Sequence, residues 1–464
     1  MSPPTFDVVI AGGGFAGMVT AAALSRAGFD VVIVEPRSSP EPRSLRGELL
    51  HPIACRALDD LGFSPDVSAA GAIGVSGFAA YADASAPPFL LDYGAHPGLA
   101  LEHGALVGAL RRTFEKRPGA RFVADKAVDV VREGTRIVGL RLASGETLSS
   151  RLLVVADGRH SKLRSLVGLD AEVKLVSHTF GTTIDAAMLP YGDRGHVFFG
   201  GPGPVLAYPI GPGRARVNVD VPLEAPRGRQ ALLEYIRHSY AGAVPRALFE
   251  VSVAAFAEQP LVAAANLDST TRSCVVDGAV LVGDAGGCSH PLTATGMTCA
   301  VHDALTLASV LEADGLTPRA LAEYERRRYR FLRSREAFAR AFYQLARGDD
   351  IGAGLLRDGL MRYWEDSRSR KVSMAILSAE ESRARAFATE YLRVARAATH
   401  IALGHARRER SLSRPVALAR SLSLAARGSL DMVKDRTRAV AHPRRALSLV
   451  APLRRFFARE EVQR

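Results

Sequence analysis

The chain has 464 residues, of which 47% are hydrophobic and 23% are charged. This composition is typical of a folded globular protein with two or three domains, and it excludes a disordered chain. The four cysteines have neither metal-ligand spacing nor the pattern of a disulfide framework, and no run of 18 apolar residues predicts a transmembrane helix. Since the sequence also lacks a signal-peptide pattern, we expect a cytosolic protein.

The net charge of +12 is concentrated in one part of the chain. From Met361 to Arg464 there are 23 of the 60 basic residues and 10 of the 48 acidic residues. The remainder of the chain is therefore close to neutral. This asymmetry predicts an acidic partner, either an anionic lipid surface or a nucleic acid, with a solvated helical face as the alternative.

The stretch 7–35 contains the strongest local pattern. Its apolar run at 8–10 indicates a buried parallel strand. Gly12, Gly14 and Gly17 follow as G-x-G-x-x-G. The first glycine allows a tight turn, the second lets the backbone approach a pyrophosphate, and the third lets the next helix lie close to the strand.

The continuation of this stretch completes a dinucleotide-binding unit. The alanine-rich segment 16–27 predicts a helix whose first N–H groups face phosphates, and Gly28 ends it. A second apolar strand at 31–34 leads to Glu35, where an acid binds ribose hydroxyls. A βαβ unit without a ligand is the alternative.

The rest of the chain alternates between two patterns. A hairpin at 127–142 and an apolar strand at 152–155 belong with the nucleotide-binding unit, as does a strand at 279–282. Between them, residues 171–267 contain short strands separated by Gly-Pro turns, which predict an inserted antiparallel sheet. After about Pro318 the sequence predicts helices only.

The predicted fold is therefore α/β. It has an FAD-binding Rossmann-like, doubly wound domain, an inserted antiparallel β-sheet substrate domain and a C-terminal helical region. The predicted boundaries are 1–72, 101–170 and 268–347 for the FAD-binding domain, 73–100 and 171–267 for the substrate domain, and 348–464 for the basic helical region.

Two further motifs indicate where the ligand binds. Asp157 begins a D-G-x-x-S-x-x-R pattern directly after a strand, and Asp284 follows the strand at 279–282. An acid at a strand end can bind the hydroxyls of a ribityl chain. Gly296 and Met297, at a helix start, can offer N–H groups to an electron-rich ring edge. One glycine turn with distant acids suits FAD.

Longer strings carry a resemblance to a known family. They are GELLHP at 47–52, ADGRHSKLR at 156–164, GPGPVLAYPI with RVNVDV at 201–221, and GDAGGCSHPLTATGMT at 283–298. The chain resembles FAD-dependent monooxygenases of the p-hydroxybenzoate hydroxylase type, and among them the squalene monooxygenases (squalene epoxidases) most closely. The resemblance extends from Asp7 to about Leu345.

The resemblance implies FAD-binding positions in all three segments of the nucleotide-binding domain. They are Gly12, Gly14, Phe15, Ala16 and Gly17 at the pyrophosphate turn, Glu35 at the adenosine ribose, Arg43 before GELLHP, Val128 at the adenine, Asp284 at the ribityl–pyrophosphate region and Met297 at the isoalloxazine, with Asp157, Pro291 and Gly296 as further cofactor-binding positions.

Two candidates for a catalytic role follow from the same comparison. Tyr93 falls where the family has an active-site tyrosine between flavin and substrate, with an ordinary sheet tyrosine as the alternative. His51 replaces a glutamine of the family, and either proton transfer or a structural role beside the flavin suits it and His290. The sequence also departs from the family at Ala105, where the family has an FAD-contacting arginine, and at PLTATGMT, which keeps one of three glycines.

The family mechanism implies the partners. Reduced flavin and molecular oxygen form a C4a-hydroperoxide that an alkene attacks, with electrons from NADPH directly or through a reductase partner. We expect an apolar isoprenoid substrate such as squalene. We also expect peripheral attachment to the inner face of a membrane through the basic C-terminal helices, including 452–459, and no nucleic acid.

Other functions remain open at this stage. A hydroxylase or epoxidase of a prenylated aromatic or polyketide would share the flavin residues, and a prenyl reductase would share the fold. A non-enzymatic isoprenoid-binding protein is a further alternative, which Ala105 keeps open. A flavin halogenase is disfavoured, because Trp364 is the only tryptophan and a W-x-W-x-I-P motif is therefore impossible.

Overall fold

The computed structural model describes residues 5–36, 45–347 and 350–423. Its strands in chain order are β1 (Thr5–Ala11), β2 (Val31–Val34), β3 (Leu49–Leu50), β4 (Ile73–Val75), β5 (Gly77–Tyr81), β6 (Phe89–Asp92), β7 (Gly98–Ala100), β8 (Arg121–Val123), β9 (Ala127–Glu133), β10 (Arg136–Leu142), β11 (Thr147–Val155), β12 (Ala171–Asp185), β13 (Arg194–Phe198), β14 (Val205–Gly211), β15 (Arg214–Val221), β16 (Val262–Thr271), β17 (Val275–Val276), β18 (Ala279–Leu281) and β19 (Gly287–Cys288).

The helices alternate with these strands and then continue alone. They are α1 (Phe15–Arg26), α2 (Pro52–Asp60), α3 (Ser64–Ala69), α4 (His103–Glu115), α5 (Lys162–Leu166), α6 (Arg229–Ser239), α7 (Arg246–Glu258), α8 (Gly296–Asp314), α9 (Pro318–Ala346), α10 (Ile351–Trp364), α11 (Ser367–Leu377) and α12 (Ala384–Glu409). Residues 413–423 are also helical.

The nucleotide-binding sheet has β1 near its centre. β1 pairs in parallel with β2 on one side and with β11 on the other, and β11 pairs in parallel with β18. Val8, Val9 and Ile10 are fully buried, as expected for a central parallel strand. The carboxyl ends of β1, β11 and β18 therefore lie side by side, and they carry the glycine turn, Asp157 and Asp284.

The second sheet has eight strands in the order β19-β16-β12-β15-β14-β13-β5-β6. Its pairs are antiparallel except for the parallel pair of β13 with β5. The predicted inserted sheet is confirmed, and β16 continues past the boundary expected at 267. The sequence did not single out β12, whose 15 residues pair with both β15 and β16.

A small sheet joins the two large ones. β7 pairs with both β3 and β4, and β3 is the Leu49–Leu50 pair of the GELLHP string. The Glu48 carboxylate, one residue earlier, accepts two hydrogen bonds from the Arg216 guanidinium on β15, at 2.7 and 3.0 Å. The GELLHP segment is thereby attached to the substrate sheet.

The described part of the C-terminal region packs against the substrate sheet. Phe78 on β5, Phe342 on α9, Leu356 on α10, Met374 on α11 and Val394 on α12 belong to one buried cluster. Residues 350–423 are therefore part of the globular body. Within the described ranges, no helix is both long enough and apolar enough to cross a bilayer. The helix expected at 452–459 lies outside the described residues.

Candidate cofactor and substrate site

A cavity of about 730 Å³ lies between the two large sheets. Its lining combines the carboxyl ends of β1, β11 and β18 with the face of the substrate sheet. Ten of the sequence-predicted FAD positions line it: Gly12, Gly14, Phe15, Ala16, Glu35, Asp157, Asp284, Pro291, Gly296 and Met297.

The glycine turn has the close approaches that the pattern predicts. Gly12 has φ +115°, and a Cβ there would lie 2.5 Å from the Ala156 carbonyl oxygen. A Cβ on Gly17 would lie 1.9 Å from the Gly12 oxygen, so α1 can approach β1 only with glycine here. Gly14 faces open space. Because α1 has no side-chain N-cap, its first N–H groups are available to a phosphate.

Glu35 lies at the end of β2, beside the same turn. Its Oε2 accepts a hydrogen bond from the Gly13 N–H at 2.8 Å, and the side chain is buried. A Cβ on Gly13 would lie 2.9 Å from the Glu35 Cβ. Glu35 is therefore fixed beside the turn, in the position from which an acid reaches a ribose.

Two acids face the cavity from neighbouring strand ends. Asp157 follows β11 and accepts the Leu163 N–H of α5 at 3.2 Å. Asp284 follows β18, and its Oδ1 lies 3.9 Å from the position of a Cβ on Gly296. Burial raises the pKa of Asp284, and the nearby Arg159 charge counteracts the rise. A ligand hydroxyl that donates to this carboxylate would compensate its burial.

The turn at 291–297 also lines the cavity. Ala294 has φ +51°, in the left-handed region that favours glycine. The backbone thus keeps the conformation of a glycine turn although the sequence has alanine. Met297 is the second residue of α8, and its Cε lies 3.0 Å from where a Cβ on Gly47 would be. Hence the GELLHP segment and this turn lie in contact.

His51 and Tyr93 form a buried hydrogen-bonded pair. His51 Nε2 lies 2.9 Å from the Thr293 carbonyl oxygen, so it donates there, and Nδ1 accepts the Tyr93 O–H at 2.7 Å. Burial lowers the pKa of His51 to about 4 and raises that of Tyr93 well above its usual value. Both groups are therefore neutral near pH 7.

The role expected for Tyr93, between flavin and substrate, stays a prediction. Neither Tyr93 nor His51 lines the cavity. Phe78 does line it, and its ring centre lies 6.0 Å from that of Tyr93 and 6.2 Å from that of His51. The Tyr93 hydroxyl is bound to His51, and the pair lies behind Phe78 and the 291–297 turn.

Two other predicted FAD positions, Val128 and Gly17, do not line the cavity. Val128 is exposed and does not line the cavity, because its side chain points away on β9, whereas the adjacent Lys126 and Ala127 do line it. Gly17 serves the packing of α1 on β1 and has no cavity surface. Arg43 lies outside the described residues.

Polar residues on the cavity side of the substrate sheet were not predicted. Tyr208, Asn218, Asp220 and Asn266 all line the cavity. Tyr208 donates to Glu48 at 3.1 Å, and Asn218 donates to Tyr208 at 2.9 Å. The signal that could have found Asp220 is the alternation of RVNVDV, which puts the polar residues Arg216, Asn218 and Asp220 on one face of β15.

Comparison with protein families is consistent with this geometry. The sequence model described as squalene epoxidase matches residues 149–411, and one described as an NAD(P)-binding Rossmann-like domain matches residues 10–67. Squalene epoxidase erg1 of Aspergillus fumigatus is 29% identical over 383 residues, which are 77% of this chain and 79% of that protein. Squalene monooxygenase of Mus musculus is 30% identical over 308 residues, 64% of this chain and 53% of that protein.

Solved structures show the same fold. The flavin-dependent brominase Bmp2 superposes with a TM-score of 0.68 at 18% identity, over 83% of this chain and 98% of that one. The p-nitrophenol 4-monooxygenase PnpA of Pseudomonas putida DLL-E4 also has a TM-score of 0.68, at 20% identity, over 82% of this chain and 99% of that one. At these identities the likeness concerns the fold alone.

Proposed function

Because this chain belongs to the squalene epoxidase family and is an FAD-dependent oxidoreductase, we propose that it epoxidises a long apolar isoprenoid such as squalene. The observation that carries the proposal is the continuity of one cavity. It extends from the glycine turn and Asp284 to apolar side chains on the substrate sheet. A cofactor and a hydrocarbon can therefore meet inside it.

The residues present fit FAD. The uncapped start of α1 and the open space at Gly14 suit a pyrophosphate, and Glu35 suits the ribose. Asp157 and Asp284 provide acceptors for the hydroxyls of the chain between pyrophosphate and ring. When bound, FAD supplies the activation of molecular oxygen.

The far part of the cavity suits a hydrocarbon. Its apolar lining includes Leu49, Phe78, Leu206, Leu292 and Leu332. Burial of a polyprene there gains roughly 0.8 kcal/mol per CH₂ group, so apolar contact alone suffices for binding. The same walls exclude water from the reacting double bond.

Alkene epoxidation requires no protein nucleophile. One oxygen atom of O₂ enters the epoxide and the other leaves as water, while NADPH and a proton supply the two electrons and the hydrogens. The chain's tasks are to orient the double bond and to keep the site dry. His51 and Tyr93, both neutral, would hold Phe78 and the 291–297 turn in place.

Isotope labelling tests the proposed reaction. Purified protein with FAD, NADPH, a flavoprotein reductase and squalene under ¹⁸O₂ should give an epoxide with one ¹⁸O atom. The alternatives predict other products: oxygenation of prenylated aromatics with no reaction of squalene, or, for a prenyl reductase, a saturated product without oxygen. A protein that binds squalene but never converts it would be a carrier.

We also propose that electrons come from NADPH, either directly or through a reductase partner. The family mechanism requires two electrons for each turnover, and the described residues contain no second nucleotide-binding domain that would hold NADPH. NADPH oxidation by the isolated protein, with and without an added reductase, separates the two routes. Oxidation only with the reductase would support a partner.

The C-terminal region supports a proposal of peripheral membrane attachment. Leu392 and Leu403 on α12 are exposed, as is Leu412, which is 70% exposed. Residues 424–464 carry ten basic and four acidic side chains. Each basic residue near an anionic membrane contributes about 1 kcal/mol to the free energy of binding. Attachment would also bring the enzyme to its substrate, because a polyprene dissolves in the bilayer.

Vesicle sedimentation tests the attachment. Full-length protein should pellet with anionic vesicles at low salt and detach at high salt. The matched variant replaces Arg454, Arg455 and Arg459 by glutamate, and it should pellet less. A chain ending at residue 423 retains the helices that complete the core, unlike one cut near 348. Equal binding of all three proteins would contradict a role for the tail.

A further inference from the structure

Four donors converge on one buried carboxylate at the cavity wall. Asp220 Oδ2 accepts hydrogen bonds from Ser177 Oγ at 2.6 Å, Asn266 Nδ2 at 2.8 Å and His290 Nε2 at 2.9 Å. Its Oδ1 accepts the Tyr343 hydroxyl at 2.9 Å. These five side chains, the Asp220 cluster, are all buried.

The cluster joins three parts of the fold. Ser177, Asp220 and Asn266 lie on the neighbouring strands β12, β15 and β16 of the substrate sheet. His290 immediately precedes the 291–297 turn that lines the cavity, and Tyr343 lies on α9. The His290 and Tyr343 rings stack with centres 3.8 Å apart.

The hydrogen bonds fix the tautomer of His290. Its Nδ1 accepts the Leu292 N–H at 3.2 Å, so the ring proton must be on Nε2, which points to Asp220. If Nε2 became an acceptor, the proton would move to Nδ1 and the bond from Leu292 would be lost. The carboxylate therefore determines whether the ring can hold the turn.

We propose that Asp220 is a positioning residue, which acts through His290 to hold the 291–297 turn against the flavin. This inference rests on the proposed oxygenation. A displaced turn would leave the edge of the flavin ring less well enclosed and would admit water to it. Molecular oxygen would then take two electrons and two protons and leave as hydrogen peroxide, with no oxygen transferred to substrate.

Asp220→Asn is the main test, because it keeps the shape and removes the charge. An amide has one uncharged acceptor oxygen, so the bonds from Ser177, Asn266 and His290 lose their charge assistance, and a flipped amide would turn its own donors toward them. The Ser177 and Tyr343 hydroxyls can rotate. His290 can adapt only by moving its proton to Nδ1, which breaks the hydrogen bond from the Leu292 N–H. We expect FAD affinity to fall at least tenfold, the visible spectrum of bound flavin to change, and the peroxide-to-epoxide ratio to rise at least fivefold.

Asp268→Asn is the matched control. Asp268 lies on β16 of the same sheet, pairs with Arg340 of α9 at 2.5 Å and does not line the cavity. This variant should lose stability and leave the flavin spectrum and FAD affinity unchanged. Ser177→Ala removes one donor and leaves the carboxylate, so it should change the same readouts in the same direction by two- to threefold, even if Asp220→Asn fails to fold.

The readouts separate this inference from the proposed function. FAD affinity and the flavin spectrum require no substrate, whereas epoxide formation by the unsubstituted protein tests the function itself. If Ser177→Ala leaves both flavin readouts unchanged, or if Asp220→Asn and Asp268→Asn affect them equally, the Asp220 cluster is only a structural contact and the proposal is wrong.

Discussion

Asp303 on α8 and Arg328 on α9 form a fully buried ion pair, with Arg328 Nε 3.0 Å from Asp303 Oδ2. The same Oδ2 accepts the Gly283 N–H at 2.9 Å, and Arg328 donates to the carbonyl oxygens of Gly283 and Gly286. The pair thus holds both ends of the short turn that carries Asp284. The position of a cavity acid depends on two residues that lie behind it.

Removal of either charge of this pair should destabilise the protein. Asp303→Asn leaves a buried guanidinium without its counter-ion, and Arg328→Met leaves a buried carboxylate, at a cost of about 3–5 kcal/mol. Urea unfolding measures the loss. The exposed pair of Asp277 with Arg136, at 2.8 Å, is the control, and Asp277→Asn should cost at most about 1 kcal/mol. Equal losses of unfolding free energy at the buried and the exposed pair would contradict the idea that burial makes the Asp303–Arg328 pair more important for stability.

Asp284→Ala should leave the fold intact and weaken FAD binding. The change removes a charge-assisted hydrogen bond worth roughly 1.5–3 kcal/mol, which corresponds to a tenfold or greater loss of affinity. Titration of the apoprotein with FAD, followed by flavin fluorescence, gives the dissociation constant. Asp277→Ala, at an exposed position, should not change it. An unchanged constant for Asp284→Ala would remove this residue from the FAD site.

Tyr93→Phe should lower turnover without loss of FAD. It leaves Nδ1 of His51 buried without a donor, so the ring loses its fixed orientation beside Thr293. We expect kcat to fall about tenfold, equivalent to about 1.4 kcal/mol. His51→Gln is the matched variant, since an amide can both accept from Tyr93 and donate to Thr293, and it should retain most activity. Equal loss in both variants would favour a special role for the imidazole.

Acid should destabilise the protein between pH 6.5 and pH 4. Burial lowers the pKa of His51, His196 and His302 to about 4, from 6.5 in an unfolded chain. Below pH 6.5 the unfolded chain binds these protons and the folded protein does not. The contribution of these histidines to the free energy of unfolding is therefore fully present above pH 6.5. It is lost as the pH falls toward 4, by about 3 kcal/mol per histidine.

Urea unfolding at several pH values measures this loss. His302→Phe preserves the stack on Phe331, whose ring centre is 3.9 Å away, and removes one titrating group. The slope of the unfolding free energy against pH should correspond to the uptake of one proton fewer on unfolding in this variant. An unchanged slope would mean that His302 is protonated in the folded protein.

Ala294→Gly should stabilise the 291–297 turn. A non-glycine residue in the left-handed region costs roughly 1–2 kcal/mol, and the greater flexibility of unfolded glycine offsets about 0.5–1 kcal/mol of the gain. We expect a net increase of up to about 1 kcal/mol in urea unfolding. Ala308→Gly, inside α8, should instead destabilise by about 1 kcal/mol. A loss at Ala294 would show that its methyl group packs usefully.

The sequence predicts the nucleotide-binding half of the site well, because the pattern there is local. Gly12, Gly14 and Glu35 lie within one βαβ unit, and apolar strands with glycine turns identify it. β12 was missed because the alternation of its first five residues breaks at Val176, where its pairing with β16 also shifts register. The Asp220 cluster could not be predicted either, since its members are separated by up to 166 positions and meet only through the topology of the sheet.

The covering of β5 and β6 by α10–α12 has a consequence for synthesis in the cell. About 270 residues separate β5 from the start of α10, which is on the order of 15–60 s of translation at about 5–20 residues per second. During that interval the apolar face that carries Phe89, against which Trp364 of α10 packs, lacks the cover of these helices and is open to contact with other nascent chains. The yield of folded protein should therefore depend on chaperones that bind this face until α12 leaves the ribosome.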